Sequence, residues 1–582
     1  MLRRSCALSL AALVLGLPFE LYFFERRQSL ATSLKLQLLV FLSLWLAWLV
    51  ERGRRAGAGA VARDLAGAMP RRLAAALGAF AAIEVFAAAL APELRRNAGV
   101  AAAKWVVGGA VLLAVCELAR SVGPRLGRLV MAALVAGGAL TSLLGVGDRM
   151  GLRVCRRVIE LFQPETYWSG NLPRLSSTME YPTTAASFLV SALLATVALL
   201  IREAGTERRR LWSGLLAAAA LVDAAALALT LSRGAALSAA AALVAASALG
   251  ARFRQLSIWK YAAAAVVASF LLVQAVLLYS GAGQPPWAPL GHQRRIARFG
   301  GAAIEEVKYL EPARAYRESI TVRNDSFRVW RRADFGVGYR WYRISTGESS
   351  ALAEAAAFHE DLAPGGERRL DAVFAAPAGD GEYLLIWFVV HRDPALEPLP
   401  WSFSPATLCS IRPPGSPPGR WSPRTLDYLE AIRKERREVP LGVVPSRWDL
   451  WRAALRMFAA HPLLGVGPDN FRLLKWKYMD VPKGDETILA NSLYLEFLAG
   501  SGIAGLAAFG WLMVELARAV LRRSAAASGL EERQLAWFGV AFLTAVLAHG
   551  VLDYFLKFTP TFLLFWIVAG LVAAGGSDAD RL

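Results

Sequence analysis

The chain has 582 residues, of which 56% are hydrophobic and only 19% charged, with a mean hydropathy of +0.40. Soluble proteins carry roughly 25% charge, so this composition excludes a mainly soluble chain. The net charge of +19 would point to nucleic acid in a soluble protein, but here arginines flank long apolar runs and no basic domain with interleaved aromatics follows, so no nucleic-acid partner is expected.

A spanning helix needs about 20 mostly apolar residues, and that rule gives about twelve spans. They fall near 5–24, 33–50, 73–92, 99–119, 127–147, 182–201, 211–231, 234–250, 257–280, 497–517, 535–552 and 558–576. The first follows Arg3 and Arg4 as a signal peptide would, but no A-x-A-like cleavage site comes after it, so it reads as a span. Small residues dominate several spans and predict close helix packing. With both termini cytoplasmic, the inside loops hold more Lys and Arg than the outside ones. The outside positives are then held there by a bound diphosphate or by anionic lipid head groups. Cys6, Cys116, Cys155 and Cys409 form no CxxC or Cys/His pattern, so no metal is expected. Cys155 and Cys409 are the one pair that could share the outside compartment.

Residues 281–490 break the apolar pattern and form one extramembrane region, placed outside by this topology. Segments 318–324, 336–344, 369–375 and 382–391 are rich in β-branched and aromatic residues and read as strands. Pro364-Gly365-Gly366 and Pro377-Ala378-Gly379-Asp380-Gly381 punctuate them, which predicts a small antiparallel sandwich. A Pro-rich linker over Pro413–Pro423, a charged helix over 424–438 and a second helix near 447–460, stopped by His461-Pro462, complete the region. The fold class is therefore an all-α polytopic membrane bundle with a β-sandwich-like insertion between spans nine and ten. Its parts are 1–280 (nine spans), 281–412 (β-rich module), 413–490 (linker and helices) and 491–582 (three spans).

Three stretches carry the chemistry. Ser232 is a good N-cap for the eighth span and sets Arg233 in its first turn, where free N–H groups, the helix dipole and a guanidinium fork suit phosphate; a snorkelling arginine is the plain alternative. Arg447 opens a helix whose Trp448, Trp451, Leu455 and Phe458 follow helical spacing, as in a helix lying on a membrane surface. The helix runs into His461-Pro462-Leu463-Leu464-Gly465-Val466-Gly467-Pro468-Asp469-Asn470-Phe471, where Gly465 and Gly467 permit a tight turn. Asn491, Tyr494 and Glu496 then put polar groups at the mouth of the tenth span, where a glutamate is costly unless functional or paired.

In this order and placement, SRG at a span start, R..W..AL.MF..HPLLGVG.DNF after a long outside loop, and NSLYLEFLA at a span mouth resemble the O-antigen ligase/O-antigen polymerase superfamily. Arg174 with Glu180-Tyr181-Pro182-Thr183-Thr184-Ala185-Ala186 ahead of the sixth span fits the same family. Residues from Val322-Arg323-Asn324 to Gly381-Glu382-Tyr383 resemble Ig-like modules of bacterial cell-surface enzymes, as a glycan or partner contact or as a spacer.

The superfamily resemblance implies an inner-membrane enzyme with a periplasmic site. It would be a metal-independent, cofactor-free, inverting glycosyltransferase acting on an undecaprenyl-diphosphate glycan donor. The acceptor is a hydroxyl of lipid A-core, another glycan or a protein. Arg233 and Arg447 would hold the diphosphate, with Arg174 a further candidate. One departure stands out: the family's third motif carries His-Asn, the histidine activating the acceptor hydroxyl, whereas this chain has Ala490-Asn491. Another group then acts as base (Glu496, Glu486 and Asp485 are near in sequence), or the diphosphate leaves unaided, or catalysis is lost. Protein O-oligosaccharyl transfer is one alternative activity. A non-catalytic transporter or scaffold in polysaccharide export is the other, for which Glu84, Glu117 and Asp223 are the polar residues inside spans.

Overall fold

A computed structural model describes residues 1–22, 32–163, 167–169, 172–200, 208–251, 297–325, 329–392, 396–415, most of 421–433, 445, 447–479 and 486–574. The expected span at 257–280 and the candidate base Asp485 lie outside the described residues, as does most of the expected helix at 424–438.

Ten helices precede the β-rich module: α1 (Leu2–Gly16), α2 (Ser33–Ala56), α3 (Ala58–Ala66), α4 (Arg71–Ala89), α5 (Arg95–Val122), α6 (Pro124–Arg149), α7 (Arg153–Phe162), α8 (Pro182–Leu200), α9 (Arg208–Leu229) and α10 (Arg233–Ala251). A short hairpin, β1 (Tyr167–Ser169) with β2 (Leu172–Arg174), precedes α8. After the module come α11 (Arg447–Ala460), α12 (Phe471–Tyr478), α13 (Leu493–Gly500), α14 (Gly502–Ala526), α15 (Leu530–Gly550) and α16 (Thr559–Ala573). Among the described residues, seven helices are long and apolar enough to cross a membrane: α2, α4, α5, α6, α8, α9 and α14. Two apolar helices, α10 and α16, are shorter. The chain is thus a multi-pass, mostly helical membrane protein. The expected tenth span is broken: α13 ends at Gly500 and α14 begins at Gly502.

α8 and α16 are apolar on every side and buried along nearly their whole length, as a helix at the centre of a bundle must be. Around α16 pack α5 and α14, with α4 against both of those; α6, α9 and α15 surround α8. Small residues permit these approaches. A methyl group on Gly108 of α5 would come within 2.0 Å of the Trp566 indole of α16, and one on Gly138 of α6 within 2.5 Å of Ala192 in α8. Close packing of this kind, rather than hydrophobic expulsion, holds helices together in lipid.

The inserted module is built from β3 (Ala297–Gly300), β4 (Val307–Leu310), β5 (Ala315–Asn324), β6 (Phe335–Arg343), β7 (Ala353–Ala357), β8 (Glu367–Ala375), β9 (Gly381–His391), β10 (Glu397–Phe403) and β11 (Thr407–Ile411). One sheet runs β4-β11-β9-β6-β7, with β10 also on β9; the other runs β3-β5-β8. All pairs are antiparallel except β4–β11. The sheets share one core, in which Phe374 meets Trp387 edge-on at 5.4 Å. Two of its buried indoles donate to backbone carbonyls, Trp341 to Ala375 O at 2.9 Å and Trp387 to Ala303 O at 3.2 Å. The four strands read from sequence are β5, β6, β8 and β9. The sulfurs of Cys155 and Cys409 are free: Cys409 is buried in this core and Cys155 rests against Gly147 of α6, so the pairing allowed by sequence does not form.

Two glycine substitutions distinguish packing from propensity. Gly108→Ala forces the buried Trp566 ring aside, and overpacking of this kind costs about 1–3 kcal/mol. Gly78→Ala in α4, with open space around its Cα, should be neutral or stabilising by up to about 1 kcal/mol. Thermal unfolding of the detergent-solubilised protein should rank them in that order.

Candidate active site

The turn between α9 and α10 carries the first arginine. Leu231 adopts a left-handed conformation (φ 54°), and Thr230 Oγ1 accepts from the Ser232 N–H at 3.2 Å. Ser232 Oγ accepts from the Ala235 N–H at 3.4 Å, as its N-cap position requires. Arg233 follows, exposed, in the first helical turn. The preceding hairpin is pinned to this turn: Arg174 Nε donates to Thr230 O at 2.8 Å, and Leu175 N donates to Leu229 O at 2.9 Å. Arg174 and Arg233 therefore flank one short backbone stretch.

Arg447, at the start of α11, is the third arginine. Its helix buries Leu450, Ala453, Ala454 and Met457 and leaves Trp448 68% and Leu455 49% exposed. The protein-facing stripe is thus small and aliphatic, and an apolar pair faces outward, as the membrane-surface reading needs. Arg447 acts electrostatically on Arg174 and on His549, and Asp553 acts on the same two. Three arginines from distant parts of the sequence converge around the end of α15. Burial holds the Arg174 guanidinium below its ordinary pKa, with Asp553 opposing and Arg447 reinforcing the shift. Among the described residues, no carboxylate pairs with Arg233 or Arg447.

The HPLLGVG turn lies against the break between α13 and α14. Val466 N and Gly467 N donate to Ala499 O (2.9 Å) and Gly500 O (2.8 Å); Ile503 N and Ala504 N donate back to Pro462 O (2.9 Å) and Leu463 O (3.2 Å). The turn thus supplies the partners that the interrupted helix loses. Two glycines are obligatory here: a Cβ on Gly465 (φ 65°) would lie 2.4 Å from Ala499 O, and one on Gly502 (φ 65°) 2.3 Å from Leu463 O. Gly467 (φ 100°) completes the bend, and His461 stops α11, its N–H donating to Met457 O.

The Asp469-Asn470 pair that follows bolts the turn to its surroundings. Asp469 accepts from Lys557 Nζ at 2.6 Å and Arg472 Nε at 3.0 Å; Asn470 Nδ2 donates to Glu93 O and Val466 O. Burial alone would raise the Asp469 carboxyl, but Lys557 and Arg472 outweigh it and hold the group below the usual carboxylate range.

Glu496 has a structural assignment. Its Oε1 accepts from the Ala490 N–H at 2.7 Å, and burial pushes its carboxyl up to about 7 against that hydrogen bond. Ala490 is 0% exposed and its carbonyl accepts from Trp451 Nε1 at 3.1 Å. Asn491 takes the left-handed conformation (φ 52°) that asparagine tolerates. Beyond this bend, Leu493 N donates to Asp553 O (3.0 Å) and Tyr494 Oη to Leu547 O (2.7 Å), tying the third motif to the segment bearing His549 and Asp553. The structure so brings Arg174, Arg233 and Arg447 together and puts Glu496, Asn491, His461, Gly465 and Gly467 in the scaffold beside them. His549, Asp553 and Ser187 are the polar residues that sequence reading passed over. The signal was His549…Asp553 at the end of an apolar span, where polar groups are rare. Among the described residues, no cluster of three or more His, Cys, Asp or Glu could hold a metal.

A family model described as O-antigen ligase matches residues 397–510, from β10 through the linker and the HPLLGVG turn into α14. Over these residues the chain is similar to the O-antigen ligase family, in line with the superfamily resemblance of its motifs. The family is that of glycosyltransferase-like enzymes of polysaccharide assembly. No curated protein matches the chain. Among solved structures, a Pseudomonas fluorescens alkylpurine DNA glycosylase, AlkC, bound to DNA containing an abasic-site analogue, aligns with 60% of this chain and 99% of its own at 9% identity. Its TM-score of 0.15 carries no argument.

Asp469→Asn should destabilise the protein by roughly 3 kcal/mol, since it leaves Lys557 and Arg472 without their buried partner. Because the native carboxyl titrates below its unfolded value, its contribution is full above about pH 4 and fades as pH falls through the native value. Unfolding curves of wild type and variant, measured against pH, should therefore converge under acid.

Proposed function

We propose that this protein transfers a glycan from undecaprenyl diphosphate to an acceptor hydroxyl at the periplasmic face of the inner membrane, with both termini cytoplasmic. The observation that carries the reading is the convergence of Arg174, Arg233 and Arg447, two of them exposed and without a carboxylate partner among the described residues. Unpaired guanidiniums at a helix N-terminus beside apolar surface are a site for a lipid-borne anion. A glycosyl diphosphate places two phosphates next to the bond that breaks. Arg233 and Arg447 bind both and neutralise the charge that develops on the leaving oxygen, while Arg174, fixed to Thr230, sets the back of the cradle.

The acceptor oxygen attacks the anomeric carbon from the face opposite the diphosphate, so configuration inverts. No nucleotide sugar or metal is required in this scheme. Trp448 and Leu455, exposed on α11, hold that helix at the lipid surface where the polyprenyl chain lies. The acceptor is a hydroxyl of lipid A-core, a growing glycan or a protein.

Purified protein given undecaprenyl-diphosphate oligosaccharide and lipid A-core should form product. Arg233→Ala and Arg447→Ala should each lower kcat about 10²–10³-fold, the loss typical of one oxyanion-stabilising donor. Product formation unaltered by both substitutions would remove the reading.

A further inference from the structure

His549 is the last-turn histidine of α15, 3% exposed, and its ring is held on three sides. Phe555 stacks on it at 5.2 Å with an interplanar angle of 15°. Ser187 Oγ of α8 lies 3.0 Å from Nδ1. Gly234, next to Arg233, covers the opposite edge with its bare Cα: a methyl there would sit 3.3 Å from Cδ2 and 3.6 Å from Nε2.

The Ser187 contact favours one tautomer. Ser187 has one hydroxyl proton and lies 3.0 Å from Thr183 O, to which it donates in the ordinary i−4 manner. With that bond made, its oxygen is left to accept from His549 Nδ1–H, the tautomer in which Nε2 keeps its lone pair. Among the described residues, none hydrogen-bonds to Nε2. That nitrogen borders the glycine beside Arg233, and Arg447 and Asp553 are the charged groups that act on the ring. A cavity of about 20 Å³ adjoins the ring, lined by Ser187, Ser191, Ser238 and Thr561 together with apolar side chains such as Val190, Phe542 and Leu564.

Resting on the transferase reading, we infer that His549 Nε2 is the general base for the acceptor hydroxyl, taking the role left open by Ala490. In the step, the acceptor O–H proton passes to Nε2 as the acceptor oxygen bonds the anomeric carbon. The bond from that carbon to the phosphate oxygen breaks, its electron pair leaving on the diphosphate held by Arg233 and Arg447. The imidazolium formed is favoured electrostatically by Asp553 and passes its extra proton to the departing diphosphate or to water.

The test compares kcat for transfer with binding of undecaprenyl-diphosphate oligosaccharide in wild type, His549→Gln, Ser187→Ala and Asp553→Asn. Glutamine can still donate to Ser187 but has no basic nitrogen. His549→Gln should lower kcat at least about 100-fold and leave donor binding within about threefold. Ser187→Ala, which frees the tautomer without removing the base, should lower kcat about tenfold with binding retained; it is the deciding arm if His549→Gln does not fold. Asp553→Asn should cost less than His549→Gln. Wild-type turnover with His549→Gln or Ser187→Ala at the wild-type kcat overturns this inference alone, as does a larger loss from Asp553→Asn. Wild type that binds donor but never transfers it overturns the transferase reading and the inference together.

Discussion

Everything near the site depends on how a broken helix is satisfied at the edge of the bilayer. Interrupting a helix frees backbone groups, and in hydrocarbon each costs several kcal/mol unless another group meets it. Between α13 and α14 the cost is avoided by four reciprocal hydrogen bonds with residues 462–467. They demand backbone approaches that no side chain permits, which is why Gly465 and Gly502 face each other's carbonyl neighbourhoods at under 2.5 Å of virtual Cβ clearance. The interlock fixes α11 relative to α13, and so fixes where Arg447 starts. It also leaves the Ala490–Asn491 bend no freedom, since Glu496 and Trp451 hold both polar groups of Ala490.

Charge is distributed by the same logic. In the scaffold beside the interlock, Asp469 answers Lys557 and Arg472, and Glu93 answers Lys477. On the cytoplasmic side of the expected topology, Arg52 pairs with Glu117 and Asp64. Among the described residues no carboxylate pairs with Arg233 or Arg447, and Asp553 acts electrostatically on Arg174. A site proposed to accept a diphosphate would have to arrive short of negative charge in this way. Deep in the bundle the opposite holds: Asp223 accepts from Ser142 at 2.7 Å, and Glu84 packs fully buried beside Gly505. These two acids sit on separate helices, α9 and α4, with different neighbours.

Most of the architecture was legible in the sequence because apolar length and strand alternation are local signals. Spans from 33–50 to 234–250 correspond to helices α2, α4, α5, α6, α8, α9 and α10, and the strands with alternating aromatics to β5, β6, β8 and β9. Two of the seven unread strands have local reasons to hide. β7 is Ala-rich, a helical composition, and β10 carries Pro398 and Pro400, tolerated because it pairs only along one edge. The break at Ser501 was unreadable, since the apolar run continues through it and its cause lies in a turn some forty residues earlier. Of the proposed site, the three arginines are those that motif order singled out. The partner of Glu496 could not be read either, because polarity at a span mouth does not say that its carboxylate meets the Ala490 N–H. His549 was missed because its partners, Ser187 and Gly234, lie on other helices, and only their convergence gives its ring a free nitrogen.

The inserted sandwich separates Arg233 from Arg447 in sequence without separating them in space, and the energetics explain why this is tolerated. Loop-closure entropy rises only logarithmically, about 0.6 kcal/mol for each doubling of length. The insert also has its own core, with Trp341, Phe374 and Trp387 buried between two sheets, so its ordering is offset internally and makes no claim on the bundle. What the bundle must supply is the relative placement of α10 and α11. It does so twice over: α10 packs against α15, which carries His549, and α11 packs against α13, which hydrogen-bonds to Asp553 at the end of the same segment. Residues 549–553 are thus the common reference for both halves of the cradle. A base located there keeps its register with the diphosphate whatever the insert above it does, whereas a base at position 490 would be registered through the interlock alone.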